Sequence, residues 1–167
     1  MLIRELDPAD RDALVALALR AWEPVFASVR SILRPSGVYD VQYPDGWAAA
    51  QRAAVERVCA APADARVAET DGAVVGFVAV AMRDEGLGEI DILAVDPAAQ
   101  RRGIGTALTR HAFDLLAGRG ATSVMVETGG DPGHAPARAV YAAAGFVEWP
   151  VSRWFRVTGD APVTPAG

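Results

Sequence analysis

Hydrophobic residues recur with a helical period in five segments of the chain. The clearest segment is ALVALALRAW, residues 13–22, in which leucine and valine form one apolar face and Asp7-Pro8 supplies a capping residue and a first-turn proline. A weaker helical pattern follows directly, and then proline and glycine predict a loop. The predicted helices cover residues 13–22, 23–34, 47–60, 104–116 and 136–145, and the predicted loop covers residues 35–46.

Short alternating or valine-rich runs predict strands between these helices. ARVAET and AVVGFVAVAM are joined by Asp71-Gly72, which is a strong signal for a β-hairpin. EIDILAV follows a second turn, RDEGLG, and ends at Asp96-Pro97. The predicted strands cover residues 2–6, 65–70, 73–82, 89–95, 122–128, 146–149 and 151–157.

The order of these elements restricts the topology. Residues 65–95 are predicted to form a three-stranded antiparallel meander. A helix connects its last strand to the strand at residues 122–128, and such a right-handed crossover places its two strands side by side and parallel. The sequence contains neither an internal repeat nor a domain boundary. We therefore expect one domain over residues 1–158 and a flexible tail at residues 159–167.

Composition argues against several classes of function. The 167 residues are 51% hydrophobic, enough for one sizeable core, and the net charge of −5 argues against an extended nucleic-acid surface. No apolar run approaches the roughly 20 residues that cross a bilayer, and no signal peptide is apparent, so a cytoplasmic protein without membrane contact is expected. The single cysteine, Cys59, allows neither an internal disulfide nor a cysteine-rich metal site, and no metal is predicted.

The segment AVDPAAQRRGIGTALTRHAFDLL, residues 94–116, carries the most specific chemical signal. A glycine-rich turn before a helix exposes unpaired N–H groups at the positive end of the helix dipole, which favours an anion. A Walker phosphate loop would need a lysine, and the chain has none. The dinucleotide-binding fingerprint would need a third glycine where this chain has Leu108. Phosphate is therefore expected to bind to a loop of another kind.

Two motifs identify that loop. Gln100-Arg101-Arg102-Gly103-Ile104-Gly105 resembles the Gln/Arg-x-x-Gly-x-Gly/Ala loop of the GNAT superfamily of acetyl-CoA-dependent N-acetyltransferases, and residues 134–146 are similar to the family's Asn-x-x-Ala-x-x-Leu-Tyr-x-x-x-Gly-Phe segment. With the meander, the resemblance covers residues 64–155. It implies a GNAT-like α/β (mixed α+β) fold: a mostly antiparallel mixed sheet of six to seven strands with a parallel, splayed central pair and four to five helices.

The resemblance also implies how acetyl-CoA binds. Backbone N–H groups of the loop would hold the pyrophosphate, and a free strand edge would pair with the pantetheine arm. His134 replaces the family's asparagine: it substitutes as a hydrogen-bond donor, serves as a second acid/base group, or is a loop residue without a role. The implied cofactor-binding residues are Leu93, Ala94, Val95, Gln100, Arg101, Arg102, Gly103, Ile104, Gly105, Thr106, His134 and Ala137.

Acetyl transfer to an amine needs a neutral amine and a proton for the departing thiolate. By the resemblance, Tyr141 takes the position of the family's tyrosine general acid. Glu89 falls where some members carry a glutamate base, and Asp91 and Glu127 compete with it for this role. The sequence does not separate the three carboxylates.

A primary amine on a small molecule is the expected acceptor. Tyr39 and Tyr43, in an aromatic-rich loop, and Glu127 are predicted to bind it, whereas Trp22 and Phe26 are predicted to pack. One alternative is a protein acceptor, either an N-terminal amine or a lysine side chain. Another is a non-catalytic module that binds acyl-CoA and regulates a partner. A homodimer is left open.

Overall fold

A five-stranded mixed sheet forms the centre of the molecule. The computed structural model describes residues 1–158, so the predicted tail lies outside the described residues. Neighbouring strands are antiparallel except for the last pair, which is parallel, as the predicted crossover requires. The strands, in their order across the sheet, are β1 (Leu2–Glu5), β2 (Ala65–Thr70), β3 (Ala73–Asp84), β4 (Leu87–Val95) and β5 (Ser123–Val126).

Helices cover both faces of this sheet. They are α1 (Arg11–Leu33), α2 (Val38–Gln42), α3 (Trp47–Ala60), α4 (Ile104–Gly118) and α5 (Ala135–Ala143). α1 and α3 share one core with the sheet, and α4 forms a second core on the opposite face. Within residues 1–158, no helix combines the length and the apolar character needed to cross a membrane.

The prediction for residues 23–46 is wrong in two places. The two helices predicted before residue 35 are one helix, because α1 continues through Pro24. A proline removes one N–H from the helix, and the burial of Leu17 and Ala21 before it and of Phe26 after it keeps both halves against the core. The predicted loop at residues 35–46 contains α2.

The predicted strands at residues 146–149 and 151–157 are also wrong. Residues 144–158 contain no strand, which leaves five strands where six to seven were expected and places the parallel pair at the edge of the described sheet. β5 offers a new strand only four residues, and Pro150 has no N–H to give. The Val151 N–H instead bonds to the Trp149 oxygen at 2.8 Å. Val147 and Trp149 are 93% and 83% exposed.

Two glycines allow α4 to lie close to the sheet. A Cβ added to Gly76 on β3 would come within 3.0 Å of the Ala94 oxygen and 3.1 Å of Leu108. A Cβ added to Gly88 on β4 would come within 2.9 Å of Leu116. Gly76 thus lets the start of α4 lie against the end of β4, where the predicted phosphate loop is located, and Gly88 makes room for the other end of α4.

Candidate active site

The two edges of β4 differ along its second half. β5 pairs with β4 only from Leu87 to Ile90, whereas β3 stays paired with β4 as far as Val95. The divergence coincides with a bulge: Ile90 opposes Val80 and Ile92 opposes Ala79, so Asp91 is the extra residue. The second half of β4 therefore forms one wall of a cleft.

The backbone groups of β4 alternate between β3 and this cleft. The Asp96 N–H donates to the Val75 oxygen on β3 at 2.9 Å. Because every second residue of a strand faces the same neighbour, Ala94 also faces β3, and Leu93 and Val95 face the cleft. The Val95 oxygen accepts from Gln100 Nε2 at 3.1 Å. Of the three predicted strand residues, Leu93 and the N–H of Val95 are therefore available to a ligand.

The predicted phosphate loop forms a concave array of N–H groups. Arg101 and Gly103 have φ of 62° and 80°, both left-handed, and the first helical bond runs from the Ala107 N–H to the Gly103 oxygen at 3.0 Å. Within residues 1–158, the N–H groups of residues 102–106 have no acceptor. Successive N–H groups in such a turn converge on one point, which suits a phosphate.

The two glycines of the predicted phosphate loop, Gly103 and Gly105, have different surroundings. Gly103 has open space around its Cα, so its left-handed φ is what favours glycine there. A Cβ on Gly105 would lie 3.5 Å from Val140 of α5, an ordinary contact. Ile104 is buried in the core beneath α4, so only its backbone remains available. The loop is thus open to solvent on one side and backed by α5 on the other.

An arginine that the sequence analysis missed forms ion pairs with two carboxylates of β4. Arg83 is an unpaired residue in β3, between the pairs Met82–Gly88 and Asp84–Leu87. Its Nε donates to Glu89, and its Nη2 donates to Asp91 Oδ1 at 3.3 Å. The hydrogen bond with Glu89 raises the pKa of Arg83. Glu89, only 9% exposed, is thus fixed beside the bulge.

The third predicted carboxylate lies on the diverging chain. Glu127 directly follows β5 and is exposed, and Arg153 Nη2 lies 3.2 Å from its Oε1. Arg153 is the second arginine that the sequence analysis missed; the only sequence signal for either arginine was its charge.

Tyr141 occupies the buried side of α5. The residue is 9% exposed, and burial raises the pKa of its hydroxyl to about 12. Its ring lies edge-on to Phe146 with centroids 6.0 Å apart. The hydroxyl makes no hydrogen bond to any part of the chain between residues 1 and 158, so it is available to a ligand.

The turn before α5 fixes His134. The side chain of Asp131 accepts the Gly133 N–H at 2.9 Å and contacts Nδ1 of His134. Burial would raise the pKa of Asp131, but hydrogen bonds from Ser28 and His134 lower it below its ordinary value. Arg138 Nη1 donates to the Asp131 backbone oxygen at 2.9 Å. The sequence analysis missed Asp131, although an aspartate three residues before a histidine was a visible signal.

The aromatic residues between α1 and α3 form a packed group. Phe26 stacks on Trp47 at 4.8 Å and meets Tyr43 edge-on at 5.3 Å, and Tyr39 lies 5.1 Å from Tyr43. The hydroxyl of Tyr39 is buried without a hydrogen-bond partner within residues 1–158. Trp22 belongs to the core instead, edge-on to Phe77.

The chain shares sequence with curated acetyltransferases. A mycothiol acetyltransferase from Stackebrandtia nassauensis is 33% identical over 156 residues, which are 87% of this chain and 50% of the relative. Another, from Beutenbergia cavernae, is 43% identical over 76 residues, 46% of this chain and 25% of the relative. The chain thus spans half or less of the length of these relatives.

The fold is also known from solved structures. A GNAT family acetyltransferase from Brucella melitensis, crystallised in complex with acetyl-CoA, has a TM-score of 0.60 and 24% identity, covering 88% of this chain and 82% of that chain. Residues 26–146 match the family described as acetyltransferase (GNAT) family. As its motifs predicted, and with the fold they implied, the chain belongs to the GNAT family of acetyltransferases.

Proposed function

We propose that this chain transfers the acetyl group of acetyl-CoA to a primary amine of a small molecule, by direct attack in a ternary complex. One observation carries the proposal: unpaired N–H groups at the start of α4 lie beside the half of β4 that β5 leaves open. The first suits a diphosphate, and the second suits an extended arm that contains amide groups.

The residues present fit acetyl-CoA. The N–H groups of residues 102–106 point to one exposed concave surface, and the exposed guanidinium groups of Arg101 and Arg102 add positive charge. Leu93 and the Val95 N–H offer the cleft a partly free strand edge. When bound, acetyl-CoA supplies the thioester; the chain orients it, and the Leu93 N–H is suited to stabilise developing negative charge on the acetyl oxygen.

The acceptor side carries a negative field. The carboxylates of Glu89, Asp91 and Glu127 face the guanidinium groups of Arg83 and Arg153, and three negative charges against two positive charges leave the network at minus one. Such a network attracts an ammonium group. Arg83 already donates to Glu89, so proton uptake at this carboxylate would require loss of part of the ion pair.

Tyr141 donates to the departing sulfur. With a pKa of about 12, its hydroxyl stays protonated at neutral pH. Full transfer to a thiolate, whose ordinary pKa is about 8.5, would be unfavourable by roughly 3 to 4 pKa units. The first contribution of Tyr141 is therefore a hydrogen bond that strengthens as negative charge builds on the sulfur.

A small-molecule acceptor is favoured over a protein. The relatives carry the name mycothiol acetyltransferase, which refers to a small molecule. In the aromatic group formed by Phe26, Tyr39, Tyr43 and Trp47, the half-buried rings of Tyr43 and Trp47 are the apolar surface that such an acceptor can reach.

Two variants of one residue test the phosphate loop. Both asparagine and aspartate tolerate the left-handed φ of Gly103, so Gly103→Asn and Gly103→Asp differ mainly in charge. We expect calorimetry to show acetyl-CoA bound by the parent and by Gly103→Asn, and at least tenfold weaker binding by Gly103→Asp than by Gly103→Asn. Equal affinities of the two variants for acetyl-CoA would show that this loop does not bind the phosphates.

Turnover separates the remaining alternatives. Release of free thiol would be followed with a panel of small amines that includes the acceptor of mycothiol acetyltransferases, and with lysine-containing and N-terminal peptides. We expect turnover with a small amine. Turnover with peptides alone would favour a protein acceptor, and binding without any turnover would favour the non-catalytic module.

A further inference from the structure

We propose that His134, held by Asp131, accepts the proton that the acceptor amine loses as it attacks the acetyl group. The inference rests on the proposed function and adds a residue to it. His134 is the catalytic residue in this proposal, and Asp131 is a positioning residue that acts through it.

The hydrogen bonds around Asp131 decide which nitrogen of the imidazole is free. Oδ1 contacts Nδ1 of His134, and Oδ2 accepts the Gly133 N–H at 2.9 Å. A carboxylate on Nδ1 keeps the proton of the neutral ring on that nitrogen, so Nε2 presents a lone pair. The side chain of Asp131 is 10% exposed and that of His134 is 25% exposed, so the carboxylate lies behind a ring that solvent and substrate can reach.

The chain fixes this pair from three directions, so His134 is not a free loop histidine. A Cβ on Gly129 would strike both His134 and Asp131, so glycine is needed for the loop to pass them. Ser28 of α1 accepts the Gly133 N–H at 3.1 Å. Arg138 of α5 holds the backbone oxygens of Gly129 and Asp131.

The turn at residues 132–134 places His134 at the edge of the cleft beside β4. β5 ends at Val126, the last residue that pairs with β4. Residues 132–134 then pack against α1 near Val25 and Ser28. α1 also reaches the end of β4, where Arg20 Nη2 lies 2.5 Å from Asp96 Oδ2. α1 thus spans the cleft from β4 to the turn that carries His134.

His134 and Tyr141 lie on the same side of α5. They are seven residues apart, which is about two helical turns, or roughly 10 Å along the axis. Val140, beside Tyr141, is the α5 residue that faces Gly105 of the phosphate loop. His134, at the other end of α5, therefore lies away from that loop and toward the acceptor end of the site. Glu89 lies across the cleft and already accepts from Arg83.

The proton transfer balances without a further reactant. As the lone pair of the amine forms the C–N bond, the C–S bond breaks and its electron pair leaves with the sulfur as thiolate. Nε2 of His134 takes the proton from the amine nitrogen, and Tyr141 donates a hydrogen bond to the thiolate. The imidazolium stays paired with Asp131 and then loses its proton to solvent.

Asparagine at position 134 separates the two roles of the histidine. An asparagine side chain can make a hydrogen bond to the pantetheine arm of acetyl-CoA, but it cannot accept a proton at neutral pH. We expect His134→Asn to keep the dissociation constant of acetyl-CoA within threefold and to lower kcat at least 100-fold. Asp131→Asn should lower kcat at least tenfold, and His111→Asn, a substitution of the other histidine, should change neither quantity.

Rescue distinguishes proton transfer from structure. Added imidazole should restore part of the kcat of His134→Ala, because a small base can occupy the space that the variant opens. A kcat of His134→Asn within threefold of the parent would overturn the proposal, and so would a loss of acetyl-CoA affinity that accounts for the whole loss of rate. Absence of imidazole rescue in folded His134→Ala would also overturn it. A parent chain without turnover on any amine would instead remove the proposed function, and this inference with it.

Discussion

The two edges of β4 belong to the same nine residues and have opposite roles. Toward β3 the strand is paired from Leu87 to Val95, and toward β5 the pairing ends at Ile90. The closed edge continues the sheet that lies between two hydrophobic cores, while the open edge leaves polar backbone groups without partners within residues 1–158. Unpaired backbone groups are unfavourable in an isolated chain, so an edge that remains open beside a phosphate loop is understood best as a binding surface.

The bulge at Asp91 is where this difference can be broken with the largest effect. Deletion of Asp91 would leave Ile92 opposite Ala79 and Ala94 opposite Phe77, because Asp91 is the one extra residue of the bulge and its removal restores the regular alternation of β4. A bulge bends its strand, so the deletion removes the bend at the point where pairing with β5 ends. We expect calorimetry to show acetyl-CoA binding weakened by more than about 100-fold, equivalent to about 2.7 kcal/mol.

Asp91→Ala is the matched control for the deletion. It keeps the length of β4 and removes only an exposed contact with Arg83, so stability should change by less than about 1 kcal/mol. A deletion variant that binds acetyl-CoA as tightly as Asp91→Ala would show that the bulge does not keep the cleft open.

Tyr141 tests the open edge without disturbing the closed one. Tyr141→Phe removes only a hydroxyl that has no partner within residues 1–158. We expect kcat to fall about 100-fold, equivalent to about 2.7 kcal/mol, with the acetyl-CoA dissociation constant unchanged. Steady-state kinetics and calorimetry on the same preparation check both quantities; an unchanged kcat would leave Tyr141 as a packing residue.

The two glycines beneath α4 sharpen the comparison. Gly76→Ala and Gly88→Ala should each lower the free energy of unfolding by about 1 to 3 kcal/mol, because the added Cβ meets backbone or core side chains. Only Gly76 contacts Ile104 and the Ala94 oxygen near the phosphate loop, so only its variant should also weaken acetyl-CoA binding. Gly118→Ala, in open space on α4, should stabilise slightly. Equal effects of the first two variants on binding would contradict this assignment.

Tyr39 gives the smallest expected effect. Its buried hydroxyl lacks a partner, and an unsatisfied buried group is unfavourable by about 1 to 3 kcal/mol. If the acceptor supplies the missing partner, Tyr39→Phe will raise KM for the amine several-fold and increase the stability of the free protein by about 1 kcal/mol. Greater stability with an unchanged KM would assign Tyr39 to packing alone.

Local signals predicted the parts of the molecule that local chemistry determines. Asp71 and Gly72 have φ of 53° and 77°, the two left-handed residues of a type I′ turn, and that dipeptide alone predicted the hairpin. The left-handed Gly103 and the helix after it were likewise visible in six residues. Neither feature depends on a distant partner.

Features that depend on register or on a distant partner could not be predicted. The contact of Arg83 with Glu89 and Asp91 arises because two bulges shift the pairing of β3 and β4. Asp131 acquires its role from Ser28, more than a hundred residues away. The alternating pattern after Phe146 predicted strands, but a strand also needs a neighbour, and β5 offers only four residues.

The exposed segment after Phe146 has a practical consequence. A protease needs several accessible, extended residues, and residues 147–156 provide them next to Trp149, Arg153 and Arg156. Limited digestion with trypsin or chymotrypsin will therefore cut here before it reaches the sheet.

Both enzymes will cut on the C-terminal side of Arg153, because Pro150 blocks cleavage after Trp149, so the trimmed chain keeps the partner of Glu127. A glutamate-specific protease that cuts after Glu148 will instead remove Arg153 and keep α4 and α5, which lowers the positive charge beside Glu127 without mutagenesis.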